Sequence, residues 1–204
     1  MKIICIGQNY REHIMELGSK VPEKPVFFCK PDTALLIRNR PFYIPDFSQE
    51  LHYETELVLR ICKVGKNIAP KFAPDYYDAY TLGFDFTARD IQRHCRQEGL
   101  PWEICKAFDN SAAIGQFIPK AEFPQGPDQL HFEMKKNGET CQKGNTADMI
   151  FKVDEIISYV SKFFTLRTGD YIFTGTPPGV GSVKIGDKLE AFLEGTSILR
   201  CPIK

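Results

Sequence analysis

The chain has 204 residues, which is long enough for one domain with a substantial hydrophobic core. It contains 26 Lys and Arg residues and 26 Asp and Glu residues, so its formal net charge is zero, which disfavours a nucleic-acid-binding protein. No apolar run has the length of a membrane span, and the one near the N-terminus is too short for a signal peptide. We therefore expect a cytoplasmic protein that binds neither nucleic acids nor membranes.

The first half of the chain predicts strands separated by three helical segments. KIICIG predicts a buried strand that ends at Gly7, and NYREHIMEL after it has helical spacing. LHYETELVLRI predicts a further strand, followed by a turn and short helix in APDYYDAY and a strand in TLGFDFT. The helix in ARDIQRHCRQEG should end near Gly99, because glycine readily adopts the left-handed conformation of a helix cap.

The second half predicts a hairpin, one helix and closing strands. In LHFEMKKNGE the pair Asn137-Gly138 is typical of a type I′ turn between two strands. Asp154 is predicted to cap a helix in EIISYVSKFF, whose apolar stripe through Phe163 and Phe164 should face the core. DYIFTG, KLEAFLEG and SILRCPI predict the last strands. The pattern favours an α+β fold with a mixed or antiparallel β core and few helices.

The seven cysteines are scattered, odd in number and never spaced C-x-x-C. This spacing fits neither a disulfide framework nor a zinc site. Several have apolar neighbours, as Cys5 does in KIICIG and Cys62 does in LRICKV. We therefore expect free thiols, most of them buried, in a reducing compartment.

Three carboxylates form a candidate metal site. Side chains alternate along a strand, so Glu54 and Glu56 in LHYETEL point to the same face. They repel each other unless a cation lies between them, and an all-oxygen ligand set favours Mg²⁺ or Mn²⁺ over Zn²⁺. Asp85, in the strand GFDFT, supplies the third carboxylate that such a site needs. The alternative is a solvated strand face with two unrelated charges.

A candidate general base comes from His13 and Glu16 in GQNYREHIMEL. Residues three apart share a face of a helix, so this carboxylate could fix the imidazole tautomer and raise its basicity. Such an imidazole could activate water. The alternative is an ordinary surface ion pair.

Two lysines and one turn complete the list of candidate groups. Lys106, between apolar residues in WEICKAFDNS, could bind a carboxylate or stabilise an enolate, and Lys30 in FFCKPD has the same two possibilities. Both could instead be surface lysines whose stems cover apolar residues. The turn DYIFTGTPPGVG could grip a substrate carboxylate with its backbone N–H groups and the hydroxyls of Thr174 and Thr176. It lacks the G-K-[ST] ending of a phosphate-binding loop.

In their order and wording, these motifs resemble the fumarylacetoacetate hydrolase family. The likeness is closest to its short single-domain members of the acylpyruvase and oxaloacetate decarboxylase type, and it runs from residue 4 to about residue 190. The segments that carry it are ICIGQNYREH, FCKPDTAL, LHYETEL, GFDFTARDIQ, GLPWEICKAFDNS, NGE, MIF, IISYVSKFFTL, GDYIFTGTPPGVG and the closing GD-x-L-E.

The resemblance implies one catalytic domain over residues 1–204, with the family's mixed β-sheet roll and a homodimeric assembly. It implies a Mg²⁺ or Mn²⁺ cofactor, and a lid at about residues 8–24 that orders when substrate binds. The residues that match functional positions of the family are Glu54, Glu56 and Asp85 as metal ligands, His13, Glu16 and Lys106 as catalytic residues, and Arg89, Gln92 and Thr176 as substrate contacts.

The implied activity is C–C bond cleavage in short 3-acylpyruvates or oxaloacetate, through a metal-bound pyruvate enolate. The enzyme would thus be a hydrolase or decarboxylase that takes a small 2-oxo acid or β-diketo acid. An isomerase acting on 2-hydroxyhepta-2,4-diene-1,7-dioate is the alternative, and a non-catalytic scaffold that binds a small acid is a third. Two departures from the family pattern make the pocket mouth less cationic: Gln8 stands where many members have Arg or Lys, and Pro178 where many have Lys.

Overall fold

The strand predicted to carry the acidic residues lies at the centre of the largest sheet. The structure is a computed structural model that describes residues 1–16, 18 and 20–204. Leu17 and Ser19, within the predicted lid, lie outside the described residues. The α-helices are Arg11–Glu16 (α1), Arg89–Glu98 (α2), Glu103–Lys106 (α3) and Val153–Val160 (α4). The strands are Ile3–Gly7 (β1), Val26–Lys30 (β2), Leu35–Leu36 (β3), Leu51–Tyr53 (β4), Thr55–Ile61 (β5), Tyr77–Asp85 (β6), Thr87–Ala88 (β7), Ala112–Ile114 (β8), Ile118–Pro119 (β9), His131–Lys136 (β10), Glu139–Asn145 (β11), Tyr171–Phe173 (β12), Gly181–Ser182 (β13), Lys188–Leu193 (β14) and Thr196–Pro202 (β15).

The sheets are mixed, which confirms the predicted α+β class with few short helices. The largest has the order β2-β1-β12-β5-β6-β8-β3, with β9 also paired to β6. Within it β1 is parallel to β12 and β3 is parallel to β8, whereas the remaining pairs are antiparallel. A second sheet has the order β11-β10-β14-β15, and a small third sheet has the order β13-β4-β7. Strands distant in the chain thereby become neighbours, and β1 is placed beside β12.

The sequence predicts one strand from residue 51 to residue 61, but the structure divides it at Glu54. The part before Glu54, β4, pairs with β13 and β7, whereas β5 pairs with β6 and β12. The chain thus passes from one sheet to another at Glu54, whose carbonyl accepts a hydrogen bond of 2.8 Å from the Asp85 N–H. This crossing brings the strand's first carboxylate to the end of β6.

Turn and cap predictions have mixed outcomes. Gly99 ends α2 with φ +67°, and Asn137 and Gly138 join β10 to β11 with positive φ, as predicted. The predicted cap at Asp154 is wrong: α4 begins at Val153, and the N–H of Lys152 before it donates to Glu155 Oε2. Val153 is fully buried, so its packing starts the helix two residues earlier than the polar signal indicates.

The apolar stripe of α4 reaches the core for only part of its predicted length. Ile156, Ile157 and Val160 are fully buried, but the helix ends at Val160 and Phe163 beyond it is 54% exposed. The same core includes Leu57, Leu59, Leu82 and Phe84 from β5 and β6, and Leu189 and Leu193 from β14. This core fixes the ends of β5 and β6 that carry the acidic residues.

All seven cysteines are free thiols, as predicted, and Cys5, Cys95, Cys105 and Cys201 are buried. Burial raises the pKa of Cys105 and of Cys201 to about 12, so both stay protonated near neutral pH. Among residues 1–16, 18 and 20–204, no helix is both long and apolar enough to cross a membrane.

Candidate active site

The three candidate metal ligands lie together because β5 and β6 are antiparallel neighbours. Glu56 pairs with Gly83 in the register of these strands, so the start of β5 lies beside Asp85 at the end of β6. One carboxylate oxygen from each of Glu54, Glu56 and Asp85 lies within 4.8 Å of the other two. The three residues are at most 6% exposed. The alternative of a solvated strand face is therefore excluded.

Three buried cations surround these carboxylates. Lys106 Nζ lies 2.8 Å from Glu54 Oε2 and 2.7 Å from Asp85 Oδ2, and Lys30 Nζ lies 2.7 Å from Asp85 Oδ1. Arg89 donates through Nη2 to Glu54 Oε1. Both lysine side chains are at most 3% exposed, so the alternative of surface lysines is wrong for Lys30 and Lys106. The formal charges of the three carboxylates and the three cations balance.

These cations change the pKa values of the carboxylates to different extents. For Glu54, burial alone would raise the pKa, but Lys106 and Arg89 more than offset it and hold the pKa well below its usual range. For Glu56, burial and the charges of Asp85 and Glu54 raise the pKa well above its usual range. Burial alone would lower the pKa of Lys106, but Asp85 and Glu54 raise it, so this lysine stays an ammonium. Glu56 is thus the least compensated of the three carboxylates.

The donor set suits a hard divalent cation. All three candidate ligands offer carboxylate oxygens, which Mg²⁺ and Mn²⁺ prefer. Asp85 Oδ1 is fully buried and accepts no hydrogen bond of regular geometry, although Lys30 Nζ lies 2.7 Å away. A cation beside Glu56 and Asp85 would relieve the repulsion that raises the pKa of Glu56. The residues present therefore fit a divalent metal ion.

His13 of the predicted dyad lines a pocket together with Glu54 and Asp85. His13 Nδ1 lies 2.9 Å from Glu16 Oε2; the His13 side chain is 6% exposed and that of Glu16 is 37% exposed, so the pair joins a buried imidazole to a carboxylate at the surface. With Nδ1 hydrogen-bonded to the carboxylate, Nε2 is left to accept a proton. A pocket of about 40 Å³ is lined by His13, Glu54, Asp85 and Lys106 together with Ile6, Gly7, Gln8, Phe28, Arg89, Gln92, Arg96 and Trp102. We call it the inner pocket.

Asn9, which the sequence reasoning missed, holds α1 in place. Its side-chain Nδ2 donates to the carbonyls of Thr174 (2.8 Å) and Phe151 (3.1 Å), and its Oδ1 accepts from the Phe151 N–H (2.8 Å). Its own carbonyl accepts from the Ile150 N–H at 2.8 Å. The residue is 1% exposed. One asparagine before a helix is a weak signal, because its partners lie more than 140 residues further along the chain.

The predicted substrate contacts on α2 line the inner pocket. Arg89 and Gln92 are buried, and Arg89 donates through Nη1 to Gln92 Oε1 and through Nη2 to Glu54 Oε1. Arg96, which the sequence reasoning did not single out, lines the same pocket. The spacing of three and four residues places Arg89, Gln92 and Arg96 on one face of α2, and this spacing could have identified Arg96.

The TGTPPGVG turn holds β5 through its polar groups. Thr174 Oγ1 donates to the Leu57 carbonyl and Thr176 Oγ1 to the Thr55 carbonyl, both at 2.9 Å. The Gly175 N–H donates to Glu56 Oε2 at 2.7 Å. Gly175 has φ +99°, and a Cβ there would lie 2.7 Å from Asn9 Cβ, so only glycine fits without strain. Substrate contact by Thr176 stays a prediction, since its hydroxyl bonds to the backbone.

A second pocket, of about 390 Å³, adjoins the first. It is lined by Glu16, Glu50, His52, Arg89, Gln92, Arg93, Arg96 and Val180, and we call it the outer pocket. Arg89, Gln92 and Arg96 line both pockets. The dyad carboxylate of Glu16 lines the outer pocket, and its Oε1 also accepts from the Gly179 N–H at 3.4 Å.

Comparison with known proteins supports an enzymatic site. The model of the fumarylacetoacetate (FAA) hydrolase C-terminal family matches residues 2–204. The chain is 43% identical over 202 residues to mouse mitochondrial oxaloacetate tautomerase FAHD1, covering 99% of this chain and 91% of that protein. It is 43% identical over 197 residues to the Escherichia coli oxaloacetate tautomerase YcgM, covering 97% and 90%.

One solved structure shows what a similar protein binds. Fumarylpyruvate hydrolase from Pseudomonas aeruginosa, in complex with Mn²⁺ and pyruvate, superposes with a TM-score of 0.94 at 37% identity. The match covers 100% of this chain and 89% of that chain.

Proposed function

The chain belongs to the fumarylacetoacetate hydrolase family, and we propose that it is a divalent-metal-dependent enzyme that cleaves a C–C bond in short 3-acylpyruvates or oxaloacetate. One observation carries this proposal: His13, which is hydrogen-bonded to Glu16, lines one small pocket together with Lys106 and the carboxylates of Glu54 and Asp85. A substrate in this pocket would thus meet both a base that can activate water and a site for a Lewis acid.

Glu54, Glu56 and Asp85 would hold Mg²⁺ or Mn²⁺. A metal ion held there would supply Lewis acidity to the 2-oxo group of the substrate, which would make a carbanion at C3 easier to form. The buried carboxylate oxygens support this assignment, as does the Mn²⁺ in the similar fumarylpyruvate hydrolase.

Hydrolysis of a 3-acylpyruvate needs an activated water molecule. In the proposed step, His13 Nε2 takes a proton from water while Glu16 holds Nδ1–H, and the hydroxide oxygen bonds to the distal carbonyl carbon. The bond between that carbon and C3 then breaks, and its electron pair passes to the pyruvyl fragment as an enolate. Protonation at C3 gives pyruvate, and the acyl group leaves as a carboxylic acid. The ammonium of Lys106 stabilises the enolate charge.

Decarboxylation of oxaloacetate uses the same enolate without an attacking water. The bond between C3 and the distal carboxylate breaks, CO₂ leaves, and the electron pair remains on the pyruvyl fragment. His13 is then needed only to exclude water or to return a proton to C3. Loss of His13 should therefore harm hydrolysis more than decarboxylation.

A second candidate is keto–enol tautomerisation of oxaloacetate. It is favoured by the two relatives at 43% identity, both named oxaloacetate tautomerase. The reaction moves one proton between C3 and the 2-oxo oxygen, and His13 could carry it without activating water. Product analysis separates the candidates, since only cleavage releases pyruvate.

The test uses purified protein with Mn²⁺, with and without a chelator. We expect chelator-sensitive loss of the enol absorbance of acetylpyruvate, and pyruvate as a product in NMR spectra. His13→Ala should lower the rate of acetylpyruvate hydrolysis by about 100-fold or more, the contribution typical of a general base. His131→Ala is the matched control, because His131 is 70% exposed and lies on β10 of another sheet. Conversion of oxaloacetate between its keto and enol forms, without pyruvate, would instead favour the second candidate.

The expected homodimer rests on the family resemblance. With a chain mass of 23.3 kDa, light scattering should give about twice that mass in solution. A monomer mass at micromolar concentration would contradict the expectation.

A further inference from the structure

Arg89 is held by protein groups at all three nitrogens of its guanidinium. It donates through Nη1 to Gln92 Oε1, through Nη2 to Glu54 Oε1 and through Nε to His52 Nδ1, the last at 3.4 Å. Because a guanidinium is planar, bonds to three different nitrogens fix both the position and the tilt of its plane. Arg89 lines the inner and the outer pocket, so this tilt decides how its donors meet a bound molecule.

Two of these three partners have other roles in the site. Glu54 is a candidate metal ligand, and its second oxygen lies 2.8 Å from Lys106 Nζ. Gln92 is a predicted substrate contact on the same helix as Arg89. A bound metal ion or substrate would compete with Arg89 for both side chains. His52 lies on β4 and is not one of the three carboxylates, so its bond to Arg89 is the most independent of what the site holds.

The imidazole of His52 is itself fixed at both ring nitrogens. The Nε of an arginine can only donate, so His52 Nδ1 is the acceptor and the ring hydrogen is on Nε2. Nε2 lies 3.0 Å from Glu50 Oε1, to which it can donate. The other oxygen of Glu50 accepts from Arg93 Nη2, and the Glu50 carbonyl accepts the Arg89 N–H at 2.7 Å. The orientation of the ring is therefore set before it meets Arg89.

The backbone of His52 is equally well held. It lies in the central strand of the small sheet β13-β4-β7, where His52 pairs with Thr87 on one side and with Ser182 on the other. His52 and Glu54 are two residues apart, and both bond to the same guanidinium. This small sheet thus supports Arg89 from the side of the outer pocket.

We propose that His52 is a positioning residue, which orients the guanidinium of Arg89 toward the substrate through its Nδ1 acceptor. In this role it acts through Arg89 and touches no reacting atom. Groups that orient a functional side chain, such as those behind metal ligands, contribute about 10- to 100-fold to affinity or activity. The inference rests on the proposed function and deepens it by adding a residue to the same site.

Two substitutions separate the two ring nitrogens of His52. In His52→Asn, the amide oxygen lies near the place of Nδ1 and can accept from Arg89, but the side chain no longer reaches Glu50. In His52→Gln, the amide reaches the place of Nε2 and can donate to Glu50, but no acceptor is left for Arg89 Nε. We expect kcat/KM for acetylpyruvate to fall about 10-fold or more in His52→Gln and to stay within about threefold in His52→Asn. A purely structural role through Glu50 would reverse this order.

A second readout needs neither metal nor substrate. The Nε–H of Arg89 gives a signal of its own in ¹⁵N NMR spectra, and Arg89→Lys identifies that signal by removing it. Hydrogen exchange at this group should be slow in the wild type and in His52→Asn, and about 10-fold faster or more in His52→Gln. Thermal melts establish that both variants are folded at the temperature of the assay.

His94→Gln is the matched control, because it makes the same substitution at an exposed position of α2. It should match the wild type in kcat/KM and in the exchange of the Arg89 Nε–H. Since His52 also lines the outer pocket, direct substrate contact is the competing explanation. In an Arg89→Lys background, His52→Gln should cause no further loss of kcat/KM. An additional loss there would overturn the positioning role.

The outcomes separate this inference from the proposed function. Equal Nε–H exchange in the wild type and His52→Gln, or equal activity of the two His52 variants, would overturn the inference and leave the proposed function in place. If the wild type with Mn²⁺ converts neither acetylpyruvate nor oxaloacetate, the proposed function fails. The exchange rates then still decide whether His52 orients Arg89.

Discussion

The Gly175 N–H donates a hydrogen bond of 2.7 Å to Oε2 of Glu56, the carboxylate with the least compensation from nearby cations. Among the hydrogen bonds of the described residues, this is the one direct link between the TGTPPGVG turn and the acidic cluster of Glu54, Glu56 and Asp85. Because a glutamine oxygen can accept the same N–H, Glu56→Gln keeps the link and removes only the buried charge. The substitution therefore tests the charge of residue 56 without removing its hydrogen bond to Gly175.

We predict opposite effects of Glu56→Gln on the metal-free and metal-loaded protein. Removing a buried, poorly compensated charge should raise the Tm of the metal-free protein by about 2 to 4 °C for each kcal/mol relieved. Loss of a candidate ligand should weaken Mn²⁺ binding by about 100-fold or more, since even groups that only orient ligands contribute 10- to 100-fold. Differential scanning calorimetry with and without Mn²⁺ measures both.

Glu139→Gln is the control for this experiment, because Glu139 is exposed at the start of β11. It should leave both Tm and the Mn²⁺-induced stabilisation unchanged. Undiminished Mn²⁺ stabilisation in Glu56→Gln would show that Glu56 is not a metal ligand.

Lys30→Met should destabilise the fold strongly. Lys30 is fully buried, donates to Ser111 Oγ at 2.8 Å, and lies 2.7 Å from Asp85 Oδ1. Its removal leaves a buried carboxylate without one of its two lysines, which costs about 3–5 kcal/mol in comparable buried pairs. Urea denaturation followed by circular dichroism measures the free energy of unfolding. Lys188→Met, at an exposed position, should match the wild type, and a similar result for Lys30→Met would rule out a structural role for Lys30.

Asn9→Asp should loosen α1. An aspartate can still accept the Phe151 N–H, but it donates nothing to the carbonyls of Phe151 and Thr174. Leaving buried groups unpaired costs about 1–3 kcal/mol each. We expect faster hydrogen exchange of the Ile14 amide, which bonds to the Tyr10 carbonyl within the same segment.

Asn145→Asp serves as the control for Asn9→Asp. Asn145 Oδ1 accepts from the Ala147 N–H at 2.8 Å, and an aspartate oxygen keeps that bond. Exchange in α1 should then stay at the wild-type rate. Equal exchange of Ile14 in both variants would mean that Asn9 does not hold the helix.

Asp154→Asn should stabilise the protein in a pH-dependent way. Burial, followed by the negative charge of Asp128, raises the pKa of Asp154, although the hydrogen bond from Tyr77 partly offsets this. A carboxyl with a raised pKa in the folded state makes ionisation costly there, so the wild type loses stability as pH rises through that range. The asparagine variant avoids this loss.

The gain from Asp154→Asn should therefore be absent below the ordinary aspartate pKa and complete near pH 7. Because the side chain is partly exposed and screened, the gain should stay below about 1 kcal/mol. Thermal melts between pH 3 and pH 8 measure it, with Asp109→Asn at an exposed position as the control. A gain of the same size at pH 3 would contradict the electrostatic explanation.

Local patterns predicted most strands and turns, since alternation and the left-handed residues Gly99 and Asn137 act over a few positions. They failed at Asp154, where the burial of Val153 decides the start of α4. They also missed the break at Glu54, because the change of sheet depends on which strands lie beside it. Tertiary neighbours, not local propensity, determine these features.

The residues of the candidate site likewise divide into those with a local sequence signal and those that depend on tertiary neighbours. The carboxylates, the dyad and Lys106 were identifiable because residue type and spacing suggest their chemistry. Asn9 and Gln142 were not, because their roles depend on distant partners: Gln142 Oε1 accepts from the Thr55 N–H, and its Nε2 donates to Thr176. Such partners become visible only when the sheet order is known.

The parallel pairing of β1 with β12 has a consequence for how the protein is made. Lys2 and Asp170 beside this pair are 168 residues apart, so β1 cannot take its place in the sheet until most of the chain has left the ribosome. Until then Asn9 lacks Thr174, and Glu56 lacks Gly175. The nascent chain therefore carries the acidic residues without the geometry that could make them a metal site, and this geometry forms only when synthesis is nearly complete.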